Sequence, residues 1–341
     1  MKRKDYSMQQ KSRLSNFELC RIIAMFLIVL HHFLIKGAAT CGYTKPYFLQ
    51  EDGLFGLCLN GFTIVGVNVF ILISGWFGIK GSRKAVHQIL RLVLDCIIYG
   101  SLSYVFCLLA FDCSFNFREL IKNQLFIYNW FVVSFIMLVI IAPMLEKIIS
   151  NSTDKEMLQY LGLLTVINIL FGYLLGNLNA NGYNVLNFIY LYFVARILRR
   201  YSTTILYKKI FHFGLLIWII ISIVLAVGFV FYSKYVPYST AHTIKYFAYN
   251  NPLILLSSVT FFGWFSLLRL QRNWINIFAQ GTFGTFLLHT TITIQHYRNL
   301  YAGTIYVKYG YLGLITLCII VYFICIMISI FVERLKKKCN F

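Results

Sequence analysis

Charge is what this sequence has least of. Asp, Glu, Lys and Arg make up 12% of its 341 residues, against roughly 25% in soluble domains. Apolar residues reach 59% and mean hydropathy is +0.73. That balance excludes a soluble globular protein and indicates a polytopic membrane protein. Acids are the scarcest of the charged residues, at 11. Apart from Glu18 at the very start of the first apolar stretch, Asp95 alone falls inside one, close to its inner end. This argues against a glycosidase built on paired carboxylates and a proton-driven transporter built on buried acid relays. Histidine is then the best available base. The 9 cysteines form no Cys-x-x-Cys pair, so neither a metal site nor a disulfide framework is expected. The net charge of +20 does not indicate nucleic acid, because the basic residues sit in short clusters between apolar runs, as topology determinants do.

The apolar stretches that remain are candidates for spans, each needing about 20 residues. They are 17–36, 61–79, 92–111, 124–144, 157–176, 185–200, 210–233, 247–268, 275–297 and 309–332. With the N-terminus inside, the inner segments carry most of the 31 Lys and Arg residues, loop after loop, which is the positive-inside bias. The expected fold is all-α: a polytopic integral membrane protein with about ten transmembrane helices and both termini cytoplasmic. Residues 1–16 form a basic cytoplasmic segment, 17–332 the transmembrane domain and 333–341 a basic tail. No small-residue cleavage site follows the first apolar run, which reads as a retained helix. No internal repeat and no soluble stretch long enough for a second domain is present.

The first span, "RIIAMFLIVLHHF", opens on Arg21 and carries His31 and His32. Eleven residues turn a helix to about 20° past three full turns, with a rise of about 16 Å. Arg21 and His32 therefore share one face, His32 lying toward the outer half. Ionisable groups in a membrane usually face a protein interior or a water-filled cavity. His31 lies off that face and reads as a structural or supporting residue. In the ninth span, "FGTFLLHTTITIQHY", His289 falls at a depth matching that of His32. His289, Thr293 and His296 follow helical spacing and would form one polar stripe.

The second span, "VGVNVFILISGWFGIKG", is interrupted by Asn68, Ser74 and Gly75. Small residues there either let helices pack closely or border a cavity reached from the cytoplasm. The loop beyond carries Lys80, Arg83, Lys84, His87 and Arg91. Those charges serve equally as a topology signal or as a dock for a phosphate-rich donor. Glu51 and Asp52, in the outer loop after the first span, are candidates for binding a polar acceptor or for ordinary solvation.

These stretches together resemble acyltransferase family 3, a family of integral membrane O-acyltransferases. "ELCRIIAMFLIVLHHF" is similar to the family's first helix, with Arg21 and His32 at the positions of its Arg-x10-His motif. "ISGWFG" resembles its Ser-Gly-Phe stretch, and Arg83 to Arg91 its arginine-bearing cytoplasmic loop. "NWFVVSFIMLVIIAPML" resembles its Trp-Phe span ending in proline. "YNNPLILLSSVTFFGW" and "AQGTFGTFLLHT" resemble its late helices, with His289 at the family's late histidine. The ordered set covers nearly the whole chain. Two departures occur: Ile22 stands where the family has glycine, and Trp76 where it has phenylalanine. The appended hydrolase domain of some members has no counterpart here.

The resemblance implies an acyl-CoA donor, most often acetyl-CoA, entering from the cytoplasm, with no permanently bound cofactor. It implies a hydroxyl acceptor on a surface polysaccharide or lipid-linked glycan, and the bacterial plasma membrane, with its lipid, as location. His32 would act as general base or carry the acyl group itself. Arg21 would bind the nucleotide end of CoA or pair with Glu18 one turn earlier. His289 would orient the acceptor or polarise the thioester carbonyl. Ser74, Gly75, Arg83 and Arg91 would serve the donor, and His31, Glu51 and Asp52 the acceptor. The rivals are a lipid-linked glycan flippase, which would call for more spans and charges on a central cavity, and a glycan polymerase, which would call for a large outer loop.

Overall fold

Helix α1, Ser15–His32, is tied down at its start. The Ser15 hydroxyl accepts from the Arg272 N–H at 2.9 Å and donates to Asn276 Oδ1 at 3.0 Å. Glu18 in the first turn complements the positive end of the helix dipole. Directly after His32 the helix widens to a π-turn over Phe33–Gly37, a device found often at functional sites. The computed structural model describes residues 14–37, 53–79, 81–111, 113–176, 180–236 and 240–339. The expected acceptor residues Glu51 and Asp52 lie outside the described residues.

The second span is two helices, α2 (Gly53–Thr63) and α3 (Gly66–Phe77). Gly66 follows the break because α1 passes close: a Cβ there would stand 2.8 Å from the Ala24 carbonyl oxygen. Next come α4 (Ser82–Ala110), the short α5 (Phe117–Gln124), and α6 (Trp130–Asn151). Helix α7, Asp154–Thr165, starts with a Thr153–Glu156 capping box and runs into a π-helical stretch, Val166–Leu174. Then follow α8 (Val185–Tyr201), α9 (Ile205–His212), α10 (Gly214–Tyr235) and α11 (Thr240–Tyr246). The last are α12 (Pro252–Leu267), α13 (Asn273–Ala279), α14 (Thr282–Thr290) and α15 (Ile292–Lys338). Among the described residues there is no strand. The protein is an all-α polytopic membrane protein.

Two ends of the bundle are chemically distinct. At one end, asparagines cap the starts of α6, α8 and α12. Asn129 accepts from the Val132 N–H, Asn184 from Leu186 and Asn251 from Leu253. The ends of α1 and α14 reach the same place. At the other end, arginines close the carbonyl termini. Arg199 donates to the Trp76 carbonyl at 2.6 Å, where α3 ends. Cations belong at that end of a helix dipole. Arg196 pairs with the buried Glu146 at 3.1 Å, and Tyr192 donates to the same carboxylate at 2.8 Å. Arg200 pairs with Asp154 at 2.7 Å.

The membrane-facing surface is apolar. Phe106 and Leu109 on α4, Ile140 and Met144 on α6, and Ile220 and Val224 on α10 are exposed. Such a surface suits hydrocarbon, where only internally bonded helices are stable. Among the described residues, seven helices or joined helices are long and apolar enough to cross, and α12 is a shorter apolar helix. The other expected spans differ. That at 185–200 is the 17-residue α8, and that at 275–297 is broken. It consists of α13, α14 and the first turns of α15, with extended backbone at Thr291 (φ −65°, ψ 151°). The expected stripe of His289, Thr293 and His296 is broken with it. Thr293 instead receives a 2.6 Å hydrogen bond from Asn123 on α5. Helix α15 kinks at Gly310, whose φ of 61° and ψ of −156° are open to glycine.

Candidate active site

His32 and His289 meet. His32 Nδ1 lies 2.9 Å from His289 Nε2, and His289 Nδ1 lies 2.7 Å from the Thr285 carbonyl oxygen. A carbonyl only accepts, so His289 Nδ1 carries its proton and the neutral ring accepts at Nε2. His32 Nδ1 must then donate, which leaves Nε2 as the basic nitrogen of a neutral His32. The chain Thr285 carbonyl–His289–His32 thus sets the tautomer of both rings. Both nitrogens of His289 are engaged in it. His289 thus meets His32 through Nε2 and the Thr285 carbonyl through Nδ1.

His32 borders a cavity of about 480 Å³ at the asparagine-capped end of the bundle. One wall is aromatic: Tyr128, Trp130, Phe131, Tyr183, Tyr249 and Phe286. The Trp130 and Tyr183 rings pack at 4.6 Å and those of Tyr183 and Tyr249 at 4.8 Å. Asn129, Thr290, Gln295 and Arg298 supply polar lining. Aromatic faces with a few convergent polar groups are the usual make-up of a small-ligand site, and such faces suit the C–H faces of a sugar.

A ladder of buried asparagines holds this wall. Asn68 Nδ2 donates to the Tyr249 carbonyl at 2.9 Å and Asn187 Nδ2 to Asn68 Oδ1 at 3.3 Å. Asn168 Nδ2 donates to Asn187 Oδ1 at 3.0 Å, and Asn250 Nδ2 to the Asn168 carbonyl at 3.2 Å. The ladder joins α3, α8, the π-helical part of α7 and the turn before α12. Asn68, an interruption in the sequence, is thereby a support for Tyr249.

The other residues singled out from sequence scatter. His31 is buried, lines the cavity and lies 3.3 Å from Thr63 Oγ1. Arg21 pairs with Glu18 at 2.6 Å, the carboxylate one turn earlier. Ser74 donates back to the Phe70 carbonyl within its own helix at 3.0 Å. Gly75 is a contact point: a Cβ there would stand 2.7 Å from the Tyr192 carbonyl oxygen of α8. Arg83 and Arg91 are exposed in the first turns of α4. Sequence reading missed Tyr183, Gln295 and Arg298. Arg298 falls just past the expected ninth span, and the break at Thr291 that turns it back toward His289 has no proline or glycine as signal.

A family model described as an acyltransferase domain matches residues 14–334. The chain belongs to this family of acyltransferases. It is a multi-pass membrane acyltransferase, and this membership displaces the flippase and polymerase readings. The match takes in every helix that borders the cavity. No curated protein and no solved structure matches the chain.

Proposed function

We propose that this membrane acyltransferase is an O-acyltransferase, moving an acetyl or other short acyl group from acyl-CoA to a glycan hydroxyl. The observation that carries the reading is the His32–His289 pair on the aromatic-walled cavity. The acceptor hydroxyl attacks the thioester carbonyl while His32 Nε2 takes its proton. His32 becomes imidazolium, and its Nδ1–H stays bonded to His289, which offsets the new charge. Collapse of the tetrahedral intermediate breaks the C–S bond, and the imidazolium returns the proton to the leaving thiolate. An ester and free CoA result. His289 is a positioning residue, acting through His32.

The donor approaches from the arginine-rich end. Arg21 lies about 16 Å down α1 from His32, a separation suited to a long phosphopantetheine arm between nucleotide and thioester. Arg83 and Arg91 on α4 are the further candidates for its phosphates, while Ser74 and Gly75 act by packing α3. The acceptor, a surface polysaccharide or lipid-linked glycan, occupies the cavity. With the arginine-rich end in the cytoplasm of a bacterial cell, the cavity faces outward and the acyl group crosses the plasma membrane.

The test is transfer of radiolabelled acetyl-CoA to the deacylated glycan fraction of the producing cells by membranes bearing the full chain. Base-labile label in the glycan, lost in His32→Ala at unchanged protein level, is the expected result. No transfer from any short acyl-CoA would overturn the proposal. Label retained on the protein would point to an acyl-histidine instead of a base.

A further inference from the structure

We infer that the acceptor is an acidic glycan, and that Arg298 reads its carboxylate or phosphate beside the reacting hydroxyl. The inference rests on the proposed O-acyltransferase function and names the class of its acceptor. Arg298 lines the cavity together with His32. Among the described lining residues there is no Asp or Glu, and the histidines and Arg298 are the cationic or potentially cationic groups. Nη1 of Arg298 donates to the His289 carbonyl at 2.7 Å. Nη2 and Nε donate to Asn299 Oδ1 at 3.0 and 3.3 Å. A guanidinium has five N–H donors, so two remain. Among the described residues no carboxylate pairs with it.

A partly buried arginine without a counter-ion is costly unless a ligand supplies one. Its planar fork matches carboxylate and phosphate oxygens. Here the fork is held in place by the backbone of His289, the residue bonded to His32. That placement separates it from the donor's phosphates, which lie a full pantetheine arm away from the thioester that His32 must reach. It also puts the charge within one sugar ring of the reacting hydroxyl, with the aromatic wall left to stack the ring itself.

The experiment compares three acceptors with wild-type, Arg298→Gln and Arg298→Lys membranes. They are the deacylated native glycan fraction, the same fraction after carboxyl reduction, and the same fraction after removal of phosphate. Wild type is expected to prefer the native fraction over one of the two neutralised fractions by roughly thirtyfold or more, the usual consequence of removing one partner of a buried charge pair. The arm that loses transfer names the acid. Arg298→Gln is expected to lower transfer to the native glycan to about that level, a far larger fall than on the neutralised fraction. Arg298→Lys should restore part of the preference. Equal transfer to native and neutralised glycan by wild type overturns the inference, as does a native glycan without acidic groups. So does an equal fall on both fractions in Arg298→Gln, which would place the guanidinium on the acyl oxyanion. If Arg298→Gln fails to accumulate, the wild-type comparison and Arg298→Lys decide. Absence of wild-type transfer to every fraction is a different failure, that of the O-acyltransferase reading itself.

Discussion

His32 and His289 divide one task, because a base needs both a basic nitrogen and a settled tautomer. Replacing His32 by Ala removes the basic nitrogen, and initial rates in membranes should fall by about 10²- to 10⁴-fold. Replacing His289 by Ala leaves the base but frees its tautomer and rotamer. The loss should be smaller, on the order of 10²-fold, and confined to kcat with the KM for acyl-CoA held. His289→Gln should recover part of it, since an amide oxygen can accept from His32 Nδ1. Of these residues, the histidines were legible in the sequence because helical rise places them at matching depth. Arg298 was not, because its route to the site depends on a backbone turn at Thr291 that no residue type announces. Gly75 was legible as a small residue, but its partner Tyr192 lies far along the chain.

Individual helices were easy to read where apolar runs were long, as in α4 and α10, and hard where polar residues were buried in pairs. The asparagine ladder is such a case. Asn168 and Asn187 sit in expected spans as isolated polar residues, and only packing of α7 on α8 brings them to 3.0 Å. Asn187→Leu would strand Asn68 and Asn168, at about 1–3 kcal/mol for each buried group left unpaired. Thermal unfolding in detergent should show the loss, and transfer should fall with it as Tyr249 loosens. Glu146 lies just past the end of an expected span, yet it is buried against Arg196 and Tyr192. Glu146→Ala leaves a buried guanidinium without its partner, a loss of about 3–5 kcal/mol. Glu146→Gln should be milder, because the amide can still accept from Tyr192. The same thermal measurement separates the two.

Hydropathy and the Lys and Arg distribution made the bundle as a whole readable: all-α, membrane-embedded, basic at one end. What they left out is which helices break. The π-turn after His32, the Ile64–Val65 break and the α14–α15 break all lie inside runs whose composition favours a continuous helix, and packing overrides it. Orientation is open to a direct check through Cys339, which is exposed at the end of α15. In a variant keeping that cysteine alone, an impermeant maleimide should label permeabilised cells and leave intact cells unlabelled. The reverse pattern would invert the membrane orientation and with it the outward-facing cavity. The claim on which the mechanism stands is that the two histidines act as one unit, and a double-mutant cycle on acyl transfer tests it most directly. With His32→Ala, His289→Ala and the double variant at equal protein level, the double variant should be no slower than His32→Ala, because groups that act through one another do not add. Losses that multiply, or transfer that survives His32→Ala, would contradict the account.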